Sequence, residues 1–210
     1  LNSRTMAGWA LVVGPIVIMV SSFLSPLSSV QDQTDTASVL KALGGAPQLQ
    51  GIHALIQIMA VVLFVAGFAK VKDTLVGGGG ELYAKLGFLM FAVVLPGAMV
   101  ELGLVAAAAD TAAIAGGAGM STAAALWAAS QGVGTVATVI PLIGLGLIGI
   151  AMVIQKNYHV LVGILLIITG VLGATFPVIF GYDSPNMFVV WIALTLSTII
   201  TGIVTIRSTN

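Results

Sequence analysis

The sequence contains no cysteine and very few charged residues. Seven Lys/Arg and seven Asp/Glu among 210 residues amount to 7% of the chain. A soluble domain carries about 25% charged residues, so a soluble fold of this size would lack a surface. The absence of cysteine excludes disulfides, thiolate metal sites and thiol catalysis. The formal net charge of zero gives no basic field that could attract a nucleic acid.

Several catalytic motifs are also missing from the sequence. It has no Walker-type phosphate loop, no His-Glu-x-x-His zinc motif and no Gly-x-Ser-x-Gly nucleophile elbow. No Lys or Arg lies near the middle of an apolar stretch, where it could pair with a substrate carboxylate or carry a retinal Schiff base. The sequence therefore predicts neither an enzyme nor a metal centre.

Long apolar stretches dominate what is present, and 59% of the residues are hydrophobic. A bilayer core about 30 Å thick requires about 20 residues of helix. Six stretches are long enough: residues 6–24, 47–69, 81–108, 122–154, 158–176 and 185–206. They are continuous, unlike the alternating segments of a membrane barrel. We predict an all-α integral membrane protein, a single domain over residues 1–210 with a six-transmembrane-helix bundle. We expect the first stretch to be a retained helix rather than a signal peptide, because five more follow.

Local signals predict where these helices begin and end. Pro47 suits the first turn of the second span, and the glycine run 77–80 separates the second span from the third. Ser121 and Ser184 are predicted N-caps of the fourth and sixth spans. The fifth span is predicted to end before Pro177.

The distribution of charge predicts the orientation. With the N-terminus inside, Lys41 is the one basic residue on the outer side. The inner side then holds Arg4, Lys70, Lys72, Lys85, Lys156 and Arg207. The positive-inside rule favours this arrangement, with both termini cytoplasmic. The cell (inner) membrane is the expected location, which the rule itself does not select. In the outer loop between spans 1 and 2, residues 35–45 predict a short surface helix that begins at a cap and ends at glycines.

Four polar residues inside the spans form the candidate site. Glu101 is predicted to lie about seven residues, or roughly 10 Å, from the outer end of the third span. His53 lies at a comparable depth in the second span, and Gln57 is one turn deeper on the same face. Gln131 lies in the fourth span. If these helices are neighbours, the four side chains converge on a ligand- or ion-binding site in the outer half of the bundle. The alternative is an interhelical hydrogen-bond cluster that fixes the packing.

Proline and glycine within the spans predict how the helices bend and pack. Pro96 and Pro141 are predicted helix-kink positions. Such breaks can expose carbonyl groups to a transported substrate, but proline is also ordinary in packed membrane helices. The glycine series at 144–149 and 163–173 predict close helix–helix packing faces.

Three functional hypotheses follow from these features. The favoured one is a non-catalytic polytopic membrane subunit, or an assembly or accessory protein, of a larger membrane complex. Its partners would be the lipid bilayer and other membrane subunits or copies of itself, with no nucleic acid. The second is a small-solute or ion transporter or channel that uses the polar site around Glu101. The third is a haem- or chlorin-binding protein with His53 as ligand, and no cofactor is predicted otherwise.

Overall fold

The computed structural model describes residues 2–114 and 117–207, and within these ranges the chain is helical with no strand. A short 3-10 helix, Pro26–Ser29, lies between the first two α-helices. The α-helices are α1 Ser3–Leu24, α2 Thr36–Gly45, α3 Pro47–Asp73, α4 Glu81–Ala92, α5 Val94–Ala113, α6 Gly117–Gln155, α7 Val160–Phe180 and α8 Met187–Arg207.

Six helical segments in the described residues are long and apolar enough to cross a membrane. They are α1, α3, the α4–α5 pair, α6, α7 and α8. The prediction of an all-helical chain with six apolar helices is confirmed. These segments are compatible with a multi-pass integral membrane protein, because helices satisfy their own backbone hydrogen bonds in lipid.

Three predicted helix ends are wrong. Helix α6 begins at Gly117, so Ser121 lies inside it and is not an N-cap, because the upstream turn packs against the end of α5, where the Cβ position of Gly119 lies 3.2 Å from the Thr111 carbonyl oxygen. Helix α7 continues through Pro177, which is buried, to Phe180. A proline in the last turn removes only one backbone hydrogen bond. Ser184 is not the residue directly before α8, which begins at Met187. Its hydroxyl instead accepts from the Asn186 amide at 3.3 Å, in the turn that precedes the helix.

The spanning segments pack as a closed ring. Each segment contacts the next one along the chain, and α8 returns to pack against α1. Large apolar side chains from this ring meet in one core, in which Phe68, Phe91 and Leu166 are fully buried. The Phe68 and Phe91 rings pack edge to face with centroids 4.8 Å apart. The interior of the ring is therefore filled with side chains.

Glycine pairs bring neighbouring helices into backbone contact. A Cβ atom on any glycine of three pairs would lie no farther than 2.7 Å from the partner glycine's carbonyl oxygen. The pairs are Gly8 with Gly202 between α1 and α8, Gly87 with Gly144 between α4 and α6, and Gly149 with Gly163 between α6 and α7. Any larger residue at these positions would force the helices apart, so the glycines define the ring.

Helices α5 and α6 extend beyond the rest of the ring. The 39 residues of α6 amount to about 58 Å at 1.5 Å per residue, nearly twice a bilayer core. Gly163 near the start of α7 lies opposite Gly149, and Tyr182 just past its end lies opposite Gly134. The excess length of α6 is therefore at its N-terminal end, with α5 alongside. We call this extension, residues 102–113 and 117–132, the α5–α6 arm.

Helix α2 covers one side of the α5–α6 arm. It forms where the sequence predicts a short helix, and the Asp35 carboxylate caps it by accepting from the Ala37 amide at 3.1 Å and the Ser38 hydroxyl at 2.5 Å. Its apolar face is buried against the arm in a second core, made of Val39, Leu40, Leu43, Val105, Ala108, Ala109, Ala123 and Trp127.

Candidate functional site

Glu101 lies on α5 at the base of the arm and is hydrogen-bonded to a tyrosine. The Tyr182 hydroxyl, in the loop between α7 and α8, donates to Glu101 Oε1 at 2.8 Å. A side chain on Gly134 of α6 would collide with the Tyr182 ring, so this glycine makes the insertion possible. The Trp191 ring packs edge to face on the phenol at 6.2 Å between centroids. The tyrosine thus links α5, α6 and the α7–α8 loop.

The phenol is a permanent donor in this arrangement. Burial raises the pKa of Tyr182 well above its usual value, so the hydroxyl keeps its proton at neutral pH. The Thr138 hydroxyl on α6 lies beside it. Glu101 is farther from its helix end than the predicted seven residues, because α5 continues to Ala113. Its position is level with the end of α7.

His53 and Gln57 lie between α1 and α3, away from the tyrosine. The Gln57 Nε2 donates to the Ser21 hydroxyl at 2.9 Å and is 3.2 Å from both the Ile18 carbonyl and His53 Nε2. The Gln57 amide has two hydrogens to donate to these acceptors. It therefore joins the last turns of α1 to α3. The predicted relation between His53 and Gln57 is present, but the other partners of Gln57 come from α1.

The two ring nitrogens of His53 differ in their surroundings. Nε2 faces the Gln57 amide, and Nδ1 is buried without a hydrogen-bond partner. Nδ1 is therefore closed to the iron of a haem or the magnesium of a chlorin, and Nε2 would have to give up its contact with Gln57 to bind either metal. Close by, Gln50 is 1% exposed and accepts from the Ser25 hydroxyl at 3.4 Å, again between α3 and the end of α1.

Gln131 lies on the α5–α6 arm, and among residues 2–114 and 117–207 its amide bonds to its neighbour alone, the Ser130 hydroxyl, at 3.4 Å. Within residues 2–114 and 117–207, no hydrogen bond joins Glu101, the His53–Gln57 pair and Gln131 to one another. They occupy three separate places: the base of the arm, the α1–α3 interface and the arm itself.

The two predicted kink positions have different local structures. The third span is interrupted at Val93, between α4 and α5, and Pro96 follows three residues later. The Val93 amide bonds to the Met90 carbonyl at 3.3 Å, a tighter turn than an α-helix makes. Pro141 lies inside α6, which continues through it without a break.

Two concavities on the surface lie apart from these residues. One of about 670 Å³ is formed by the 3-10 helix, the following loop and α2, and its charged lining residues are Asp32, Asp35 and Lys41. The other, about 320 Å³, is an apolar groove between α1 and α3, lined by Val17, Leu55, Ile56, Met59, Ala60 and Leu63. In the part of the chain that the structure describes, no three His, Cys, Asp or Glu residues are grouped as a metal site requires.

Sequence reasoning missed the partners of the predicted residues. Tyr182, Ser21 and Gln50 are not among the predicted site residues, and Ser21 and Gln50 carried no signal beyond being polar near a helix end. Tyr182 follows Gly181, whose φ of +89° turns the chain as α7 ends, and this Gly-Tyr pair is the one available hint.

Comparison with protein-family models, curated proteins and solved structures finds no match for this chain. The function must therefore be inferred from the geometry of the chain's own residues.

Proposed function

We propose that this protein is a non-catalytic multi-pass membrane subunit, or an accessory protein, of a larger membrane complex. The observation that carries the proposal is that polar groups within the spans are hydrogen-bonded between helices. Glu101 is bonded to Tyr182 across the helix ends, and Gln57 bonds α3 to α1. Groups engaged in holding helices together are structural connections, and neither pair lines the concavities described above.

The packing of the ring supports the same proposal. Glycine pairs close three of its interfaces, and aromatic side chains fill its centre. A transporter needs a polar pathway between its helices. A subunit needs a rigid body with a surface for its partner, and the α5–α6 arm offers a surface that α2 covers on one side only.

The proposed orientation, in a cell (inner) membrane, places both termini in the cytoplasm and places α2 and the arm outside. It follows from the basic residues near one end of the ring, such as Lys72 and Arg207. Because the chain has no cysteine, Ala37→Cys in α2 and Val76→Cys after α3 can each be labelled selectively. A membrane-impermeant maleimide applied to intact cells should label Ala37→Cys only. Labelling of Val76→Cys alone would reverse the orientation.

Gentle native purification tests the proposed function. We expect a stoichiometric membrane protein partner, or a defined self-assembly, to co-elute with the chain. Visible absorbance measured on the same sample addresses the haem or chlorin hypothesis, with His53→Ala as the matched variant. A partner-free monomer would contradict the proposal. A visible band that His53→Ala abolishes would favour a cofactor protein instead.

A transporter is the second candidate, and the interruption at Val93 favours it. The break separates α4 from α5 two turns before Glu101, as in transporters whose broken helices border a binding site. Proteoliposomes loaded with a pH-sensitive dye and subjected to a sodium or proton gradient test it. Flux that Glu101→Gln abolishes, without loss of the folded protein, would support this candidate. Equal leakage with and without the protein would count against it for these ions.

A further inference from the structure

Three basic residues lie at the same end of three neighbouring helices. Arg4 is in the first turn of α1, Lys70 is in the last turn of α3, and Arg207 ends α8. Helix α1 packs against both α3 and α8. We call these three residues the basic triad. Arg4 and Lys70 are half-buried and Arg207 is exposed, so the triad can be reached from outside the ring.

Glycine contacts place Arg4 and Lys70 at one level. A Cβ atom on Gly67 of α3 would lie 3.1 Å from the Ala7 carbonyl oxygen of α1. Arg4 is three residues before Ala7, and Lys70 is three residues after Gly67. Because α1 and α3 run in opposite directions, the two charged residues are level with each other.

Arg207 is at the same level on the other side of α1. A Cβ atom on Gly8 would lie 2.7 Å from the Gly202 carbonyl oxygen and 3.1 Å from the Ile206 amide nitrogen of α8. Helix α8 also runs opposite to α1, so the turn before Gly8 lies beside the residues that follow Ile206. That turn begins at Arg4, and Arg207 follows Ile206. The start of α1 is therefore flanked by a basic residue on each side.

The carboxylates at this end of the ring are paired with other residues. Within residues 2–114 and 117–207 the ion pairs are Lys72 with Asp73, at 3.0 Å, and Lys85 with Glu81. The Lys72 ammonium also lies 5.2 Å from the centre of the Phe88 ring of α4, so it is on the side of α3 that faces α4. The described part of the chain therefore gives the basic triad no carboxylate partner.

The environment of Arg4 requires an anion. Its Nε is buried and has no hydrogen-bond partner in the described residues, which is costly for a charged donor. Helix α1 adds to this cost, because the start of a helix carries partial positive charge. Lys70 and Arg207 are at helix C-terminal ends, where a cation is favoured, but they add two more positive charges beside Arg4. A guanidinium group matches a phosphate with two parallel hydrogen bonds.

Trp9 places the basic triad at the depth of lipid headgroups. It is 52% exposed and lies five residues after Arg4 on α1, or roughly 7 Å along the helix axis. Exposed Trp residues favour the boundary between the hydrocarbon core and the headgroups. The headgroup region extends about 5–7 Å beyond the core on each side. Arg4 is therefore at the level at which lipid phosphates lie.

We propose that the basic triad binds the phosphate of an anionic phospholipid in the leaflet that surrounds this end of the ring. Arg4 donates hydrogen bonds to the phosphate oxygens, and Lys70 and Arg207 supply the further positive charge that favours a lipid with net negative charge. Basic pockets between membrane helices bind such headgroups. The inference goes beyond the proposed function and does not depend on it, because an accessory subunit and a transporter could equally hold this lipid.

Native mass spectrometry of the delipidated protein in detergent tests the proposal, with phosphatidylglycerol or phosphatidylcholine added. The wild type should bind phosphatidylglycerol more tightly, and Arg4→Gln should weaken that binding about fivefold, the effect of one basic residue beside an anionic lipid. The matched control is Lys156→Gln, in the exposed loop between α6 and α7, which the Asn157 amide joins to the Thr74 carbonyl at the end of α3. Equal affinity of wild type and Arg4→Gln, or an equal loss with Lys156→Gln, would overturn the proposal.

A second variant and a soluble anion complete the test. Arg207→Gln changes an exposed side chain, so it should leave the folded fraction unchanged and still weaken phosphatidylglycerol binding. It decides the matter if Arg4→Gln lowers the folded fraction, and unchanged binding by folded Arg207→Gln would then overturn the proposal. Inorganic phosphate in excess should not displace bound phosphatidylglycerol. Displacement by inorganic phosphate would overturn the lipid assignment and make the triad a site for a soluble anion.

Discussion

The Tyr182 phenol donates a 2.8 Å hydrogen bond to the Glu101 carboxyl oxygen, joining residues 81 positions apart in the chain. The bond ties the α7–α8 loop to α5 at the base of the α5–α6 arm. Gly134 leaves the space into which the phenol ring fits. This polar contact at the base of the arm can be removed without disturbing the backbone.

Tyr182→Phe should destabilise the folded protein by about 1–2 kcal/mol, because it removes the donor and leaves a buried carboxyl oxygen unpaired. The ring remains packed beside Gly134 and Trp191, so the loss reports the hydroxyl alone. Denaturant unfolding in detergent measures it. Glu101→Gln keeps an acceptor oxygen and should cost less, and combining the two changes should add little to Tyr182→Phe. Fully additive losses would show that the two side chains do not interact.

Gly149→Leu should disrupt the α6–α7 interface, because its Cβ atom would lie 2.5 Å from the Gly163 carbonyl oxygen. Overpacking of this kind typically costs about 1–3 kcal/mol, and more where backbone must move. Gly51→Leu is the control, since nothing lies within 4 Å of that Cβ position. The folded fraction recovered in mild detergent should fall for Gly149→Leu only. Equal recovery of the two variants would contradict the role of the glycine pairs.

The six spans could be predicted because lipid requires long apolar helices and hydropathy records them directly. The glycine contacts between α6 and α7 were also foreseen, because glycine at helical spacing in a span indicates close helix packing, whereas Gly8, Gly87 and Gly202 were not singled out. The α5–α6 arm was not foreseen. An alanine-rich helix has the same hydropathy whether it lies in lipid or outside it. The predicted third and fourth spans therefore included part of the arm, and the remaining turns, up to Ala113 and from Gly117, were left in the loop between them.

The candidate site was predicted only as far as local spacing allows. His53 and Gln57 are four residues apart on one helix, and they are in contact. The pairing of Glu101 with Tyr182 depends on which helices are neighbours and on their relative heights. A single sequence contains neither quantity. The expected meeting of Glu101, His53 and Gln131 assumed that helices in contact also align their polar residues.

Gln57→Leu should weaken the contact between α1 and α3, whereas Gln131→Leu should not affect the stability of the monomer. Gln57 bonds to Ser21 across the interface, while the Gln131 amide bonds to Ser130, its neighbour on the same helix. Hydrogen bonds between membrane helices contribute about 0.6 kcal/mol on average and up to about 1.7 kcal/mol. Unfolding of the two variants in the same detergent compares them. A larger loss for Gln131→Leu in the monomer would show that these contacts are wrongly assigned.

The N-terminal turn of α2 should loosen in acid because the Asp35 carboxylate caps it. The hydrogen bond from the Ser38 hydroxyl is the main cause that holds the pKa of Asp35 below its usual value of 3.8. A carboxyl whose pKa is lower in the folded state stabilises the fold above the unfolded pKa, and this stabilisation is lost as pH falls through the folded pKa. The cap is therefore intact at neutral pH and weakens below about pH 4.

Hydrogen exchange of the Ala37 and Ser38 amides, corrected for the intrinsic pH dependence, measures this loosening. The wild-type protein should show extra exchange at about pH 3 compared with about pH 6. Asp35→Asn keeps a side-chain oxygen for the Ala37 amide and cannot titrate, so its protection should not depend on pH. Asp35→Ala should exchange faster at both values. Asp32 lies nearby and its own pKa is lowered by Thr34, so Asp32→Asn serves as the control that should keep the wild-type pH dependence. If Asp32→Asn abolished that dependence and Asp35→Asn did not, the titrating cap would be Asp32.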